Sequence, residues 1–99
     1  MTVKEKRGRR RYIAFTVDPR MTKDALISLL RKHSGAPPYV VQCAEGWAIV
    51  RCAPEETDVV ISLMLLTDPS SVSLKTSGTL SSLRERYAEL KRLRPVRKA

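Results

Sequence analysis

The sequence predicts an α+β sandwich: one four-stranded antiparallel sheet, two helices on one of its faces, and a basic amphipathic helix after the last strand. Three observations predict it. Short β-branched and aromatic segments alternate with segments whose apolar residues recur at helical spacing. They follow the order strand, helix, strand, strand, helix, strand, helix. Turn residues separate them: Asp18-Pro19, then Gly35 with Pro37-Pro38, then Glu45-Gly46.

Residues 11–17 (RYIAFTV) read as a strand, with Ile13, Phe15 and Val17 alternating against Tyr12, Ala14 and Thr16. Pro19 cannot donate to a ladder and ends it. Residues 23–34 read as a helix capped by Thr22, with Leu26, Leu29, Leu30 and His33 on one stripe. Asp24 in its first turn and Arg31 and Lys32 in its last suit the helix dipole, and Gly35 closes it.

Residues 39–44 and 47–52 read as a hairpin around Glu45-Gly46. A two-residue turn sets Ala44 opposite Trp47 and Cys43 opposite Ala48. Strict alternation then puts Tyr39, Val41, Cys43, Ala48, Val50 and Cys52 on a core face. Val40, Gln42, Ala44, Trp47, Ile49 and Arg51 fall on the other.

Residues 54–67 read as a helix with Pro54 near its start and acids in its first turns. Its apolar arc, from Val59 to Leu66, is wider than one core-facing stripe needs. Residues 71–76 form a weak strand. Residues 80–93 form the last helix, with Thr79 as N-cap and Leu80, Leu83, Tyr87 and Leu90 along one side. This order is that of the ferredoxin-like or RRM-like βαββαβ sandwich. The last helix either covers the second sheet face or docks on a partner.

At 99 residues the chain makes one domain with one modest core. Residues 1–9 read as a flexible basic arm, 10–94 as the sandwich with its C-terminal helix, and 95–99 as a basic tail. There is no apolar run of membrane-spanning length. No apolar leader follows the N-terminus, so a cytoplasmic, reducing location is expected for the two cysteines.

The net charge is +9. Residues 1–11 carry +5, residues 12–83 carry −1 and residues 84–99 carry +5. Two basic blocks around a neutral body point to an acidic partner, with RNA, DNA and an anionic membrane surface as the classes to weigh. The competing reading is a pair of solvated tails.

Side-chain catalysis is not indicated. His33 has no nucleophile or orienting carboxylate near it in sequence, and no acid pair suggests general acid–base work. Cys43 and Cys52 are nine apart, which fits no zinc spacing. Across the hairpin they lie about 13 Å apart, too far for a disulfide, so no metal or cofactor is expected on the protein itself. The glycines are scattered and form no phosphate loop.

Nucleic-acid binding remains. Base stacking on the sheet lacks the usual aromatics, with only Tyr12 and Trp47 available. Phosphate binding fits better. Arg9, Arg10 and Arg11 lead into the first strand. Arg51 could reach a phosphate or simply solvate a sheet edge. Ser77, Gly78 and Thr79 open the last helix, either as a phosphate seat or as a plain cap. Lys91, Arg92 and Arg94 form the second basic cluster. The surplus apolar residues Ile61, Met64 and Leu65, with Trp47 and Ile49 on the sheet, suggest a protein interface unless the last helix covers them.

Three blocks resemble one family. Arg11-Tyr12-Ile13-Ala14-Phe15 resembles the opening strand of the archaeal and eukaryotic ribonuclease P protein component 2 family. Ile49-Val50-Arg51-Cys52, with Val59 and Leu63, resembles its middle block, and Ser77-Gly78-Thr79-Leu80 its C-terminal block. Residues 19–46 depart from the pattern. The resemblance implies an archaeal, non-catalytic subunit that supports a catalytic RNA in removing the 5′ leader of precursor tRNA. It implies magnesium on that RNA, a TIM-barrel-like protein partner and self-association. It assigns motif positions to Arg51, Ser77, Gly78 and Thr79. A ribosome-associated RNA-binder of the same fold and a ferredoxin-like protein-interaction or regulatory domain are the alternatives.

Overall fold

A computed structural model describes residues 10–93. The elements are β1 (Arg11–Thr16), α1 (Lys23–His33), β2 (Tyr39–Ala44), β3 (Trp47–Cys52), α2 (Thr57–Thr67), β4 (Val72–Ser77), α3 (Leu80–Arg86) and α4 (Ala88–Arg92). The strands form one antiparallel sheet in the order β2-β3-β1-β4. This is the α+β sandwich expected from the sequence.

The sheet is covered on both faces. Ile13, Phe15, Val40, Ala48 and Val50 face α1 and α2, where Leu26, Leu30, Val60 and Met64 complete the larger core. Ala14 and Ile49 face the other way, beneath Leu83 and Leu90 of α3 and α4. That explains why three successive residues of β1, Ile13 to Phe15, are all buried. Leu83 and Leu90 are fully buried, each contributing about 1.5–3 kcal/mol by removal from water.

The hairpin turn is the expected one. Glu45 (φ 49°) and Gly46 (φ 88°) both take positive φ, the signature of the turn that matches strand twist. Val17 donates its N–H to the Gly46 carbonyl at 2.9 Å, so the end of β1 is tied to the turn.

Three expectations are corrected. First, β2 carries a bulge at Val41: Val40 pairs with Val50, but Gln42 pairs with Ile49. One inserted residue reverses every side chain upstream of it. Val40 therefore joins the core under α1 and α2, whereas Val41 packs against the smaller core of Ala14, Ile49, Leu83 and Leu90. Tyr39 leaves the core face and is exposed. Second, residues 80–93 are two short helices. Tyr87 interrupts them in an extended conformation (φ −120°, ψ 108°), and its ring packs on Trp47 with centroids 5.9 Å apart. Third, residues 54–56 form a 3-10 turn ahead of α2.

No helix among the described residues is long and apolar enough to cross a membrane.

Candidate nucleic-acid interface

Strand pairing brings distant parts of the chain to one end of the sheet. Tyr12 lies opposite Arg51 on one side and Ser77 on the other, and Arg51 lies opposite Tyr39. A single cross-strand rung therefore reads Tyr39, Arg51, Tyr12, Ser77 across all four strands. Arg11 is one residue beyond it, opposite Cys52, and Arg10 lies beyond Arg11. Arg10 and Arg11 at the start of β1 and Arg51 near the end of β3 thus come to the same end of the sheet because β1 and β3 are central, adjacent and antiparallel. This is the arginine end of the sheet; the Glu45-Gly46 turn marks the opposite, hairpin end.

The guanidinium groups there have no carboxylate partner among the described residues. Arg11 donates from Nη1 to the Arg10 carbonyl at 3.1 Å, and its guanidinium lies beside Gly78. The guanidinium of Arg51 sits 4.5 Å from the centroid of the Tyr39 ring, a cation–π geometry that fixes it without neutralising it. Arg10 is exposed and Arg51 half-buried.

The Ser77-Gly78-Thr79 turn is at the same end, and its groups are engaged in capping. Thr79 Oγ1 accepts from the Ser82 N–H at 3.3 Å, and Ser77 Oγ accepts from the Thr79 N–H at 3.3 Å. These contacts make the N-cap of α3.

The other basic cluster lies elsewhere. Arg92 Nη2 is 3.4 Å from Glu45 Oε1 in an exposed ion pair at the hairpin end. Lys91 sits beside Arg92 on α4. Arg10, Arg11 and Arg51 therefore form one group, and Lys91 and Arg92 a separate one. Arg9 and Arg94 lie outside the described residues.

The residues expected at a protein interface also divide. Ile49 and Met64 are fully buried, each in a different core, so neither meets a partner in this fold. The reason is that α3 and α4 cover the second sheet face, and Met64 points inward from α2. Trp47 is half-buried against Tyr87, and Ile61 is half-buried at the edge of the larger core. Leu65 is exposed, and with Val59, Leu66 and Val72 it supplies the large exposed apolar side chains of α2 and β4.

Two features escape a reading of the sequence. Gln42 is buried, donating from Nε2 to the Leu90 carbonyl at 3.0 Å and accepting from Arg84 Nη2 at 2.7 Å. It pins α4 to β2, and Arg84 is part of that anchor rather than of a solvated face. Tyr39 is the second, because strict alternation carries through the bulge and misplaces it. An aromatic residue at a strand start, across from an arginine, is the signal that could have found it.

The thiols are not poised for chemistry. Burial, with a smaller contribution from the charge of Asp68, pushes Cys43 up to about 11, and burial raises Cys52 with help from Glu56 and Glu55. Both are free. His33 is exposed at the end of α1. No three His, Cys, Asp or Glu side chains among the described residues gather as metal donors.

Comparison with protein-family models, with curated proteins and with solved structures finds no match for the chain.

Proposed function

We propose that this chain is a non-catalytic RNA-binding subunit of ribonuclease P, acting in the cytoplasm on the catalytic RNA and, through it, on precursor tRNA. One observation carries the reading. The three sequence blocks that resemble the ribonuclease P component 2 family converge at one end of the sheet, on the rung Arg51, Tyr12, Ser77. Arg10 and Arg11 stand beside that rung, with no carboxylate in an ion pair with them.

The physical role is electrostatic. Arg11 and Arg51 on two adjacent strands, with Arg10 just before β1, bring three guanidiniums to one end of the sheet to screen clustered phosphates, and a folded RNA gains most where its backbones crowd together. Magnesium belongs to the RNA in this reading. The exposed apolar residues Val59, Leu65, Leu66 and Val72 fit a protein partner, for which a TIM-barrel-like subunit or a second copy is the candidate.

The test is precursor-tRNA cleavage in magnesium by the catalytic RNA with the barrel-like subunit, with and without this chain. Cleavage that requires the chain at low magnesium is the expected result. Independence across magnesium and salt removes the ribonuclease P role. RNA affinity measured in parallel then decides between a general RNA-binder and a protein-interaction domain.

A further inference from the structure

The arginine end is also where the cover provided by α3 and α4 stops. Ala14 and Ile49 are fully buried beneath Leu83 and Leu90, and Gln42 beside Ile49 is buried as well. At the next position outward on the same face, Tyr12 and Arg51 are half-buried and Tyr39 is 54% exposed. Register puts them on that face. Tyr12 and Arg51 alternate in step with Ala14 and Ile49, and Tyr39 joins them by pairing with Arg51. An uncovered strip therefore reads ring, guanidinium, ring across β2, β3 and β1, on strands about 4.8 Å apart.

Arg51 is the centre of that strip. Its Cζ lies 4.5 Å from the Tyr39 ring centroid, and no ion pair holds it among the described residues. A guanidinium resting on a ring uses one of its two planar faces there. The second face can still stack, and the N–H edge can still meet a phosphate, because stacking and edge bonding use different directions. RNA bases stack on guanidinium planes as they do on aromatic rings. A base inside a helix has both faces covered by its neighbours, so only an unpaired base can use the strip.

We propose that Arg51 carries an unpaired base of the bound RNA on its guanidinium plane, on the strip between Tyr39 and Tyr12, while Arg10 and Arg11 attract the adjoining phosphates. This rests on the RNA-binding reading and adds a preference that charge alone lacks. A basic surface binds any phosphate backbone, whereas a planar platform selects a single-stranded or bulged position. Tyr39 is a positioning residue here. It supports the guanidinium from behind and does not itself touch the base.

The test compares the full chain with Arg51→Lys, which keeps the charge and removes the plane. The probes are an unstructured ten-nucleotide RNA and an inorganic polyphosphate of the same length, which has charge but no bases. Arg51→Lys is expected to weaken the RNA by about threefold or more, within the roughly two- to thirtyfold that one cation–π stack is worth. Affinity for polyphosphate and the salt slopes should not change. A 2-aminopurine base in the RNA should be quenched on binding the parent chain and much less on binding the variant. Tyr39→Leu should weaken the RNA in the same direction, and Tyr39→Phe should restore it, which assigns the effect to the ring supporting Arg51. Unchanged amide dispersion checks that each variant is folded. RNA binding that is the same in Arg51→Lys and the parent overturns this proposal and leaves the RNA reading standing. Equal weakening of RNA and polyphosphate does the same, by showing that Arg51 meets phosphate only. Absence of affinity for any RNA overturns both.

Discussion

At the hairpin end of the sheet, charged groups are tied into the fold. Glu45 pairs with Arg92, Asp18 accepts the Arg20 N–H, and Asp68 accepts the N–H groups of Asp18 and Ser70. At the opposite end, Arg10, Arg11 and Arg51 stand together without an ion-paired carboxylate. Both ends belong to the same four strands, so the contrast is one of side chains and not of backbone. One end holds itself together. The other keeps positive charge that no ion pair neutralises, at the cost of mutual repulsion, which is what a phosphate-binding surface requires. Stability and RNA affinity should therefore be separable by mutation.

The largest effect is expected where α4 closes the second core. Leu90 is fully buried, and its carbonyl takes the Gln42 side-chain N–H. Leu90→Ala should cost about 2–5 kcal/mol, read by denaturant unfolding. RNA affinity measured where the variant remains folded should change little. A variant that loses RNA binding while folded would place α4 in the interface and erase the contrast between the ends.

Next comes the arginine end. Replacing Arg10, Arg11 and Arg51 together by Gln should lower affinity for RNA by about one to two orders of magnitude near physiological salt. The salt slope should fall by about one for each phosphate no longer neutralised. The melting temperature should change little, since relief of like-charge repulsion offsets the loss of the Arg51–Tyr39 cation–π contact. An unchanged salt slope would show that these arginines meet no phosphate.

Asp68 tests the hairpin end through pH. Although burial opposes ionisation, hydrogen bonds from Ser70 and from the Asp18 backbone lower its carboxyl below the ordinary aspartate range. A lowered folded-state value means that the ionised group adds stability above the unfolded value. That stability is lost as pH falls through the folded one. Asp68→Asn should cost about 1–2 kcal/mol at neutral pH, with the gap from the parent chain closing below about pH 4. Thermal unfolding across pH checks it, and a constant gap would assign the loss to packing. RNA affinity at neutral pH should not move.

Most of the fold is legible in the sequence because local chemistry and global topology agree. The Asp18-Pro19 stop, the Glu45-Gly46 turn and the Thr22 and Thr79 caps each constrain the backbone within a few residues. The bulge at Val41 is not legible. Val40 and Val41 are chemically identical, so alternation cannot say which of them faces α1, and Tyr39 is misplaced with them. The break at Tyr87 is hidden for a similar reason: its neighbours are good helix formers, and its packing on Trp47 is tertiary. At the candidate site, Arg51 and the run before β1 are visible as charges. Their meeting is not, because it depends on which strands are neighbours. The division between Arg51 and Arg92 likewise emerges only once α4 has been laid toward the Glu45 turn.

The smallest effect gives the sharpest comparison of the two ends. Arg92 and Glu45 form an exposed pair with 60% and 64% of their side chains open to solvent. Exposed pairs of this kind contribute about 0–1 kcal/mol, because water screens them and two long side chains must be ordered. Arg92→Gln should therefore shift the melting temperature barely at all. Its effect on RNA binding is more informative. Arg92 carries the same formal charge as Arg51, so a purely global attraction between a +9 chain and RNA would weaken equally in Arg92→Gln and Arg51→Gln. A localised interface predicts inequality. Arg51→Gln should cost several-fold in affinity and about one in salt slope, and Arg92→Gln less than twofold with the slope unchanged. Glu45→Gln, which releases Arg92 from its partner, should then raise affinity no more than removal of any other negative charge. Equal losses at positions 51 and 92 would dissolve the distinction between the two ends and leave only net charge as the source of binding.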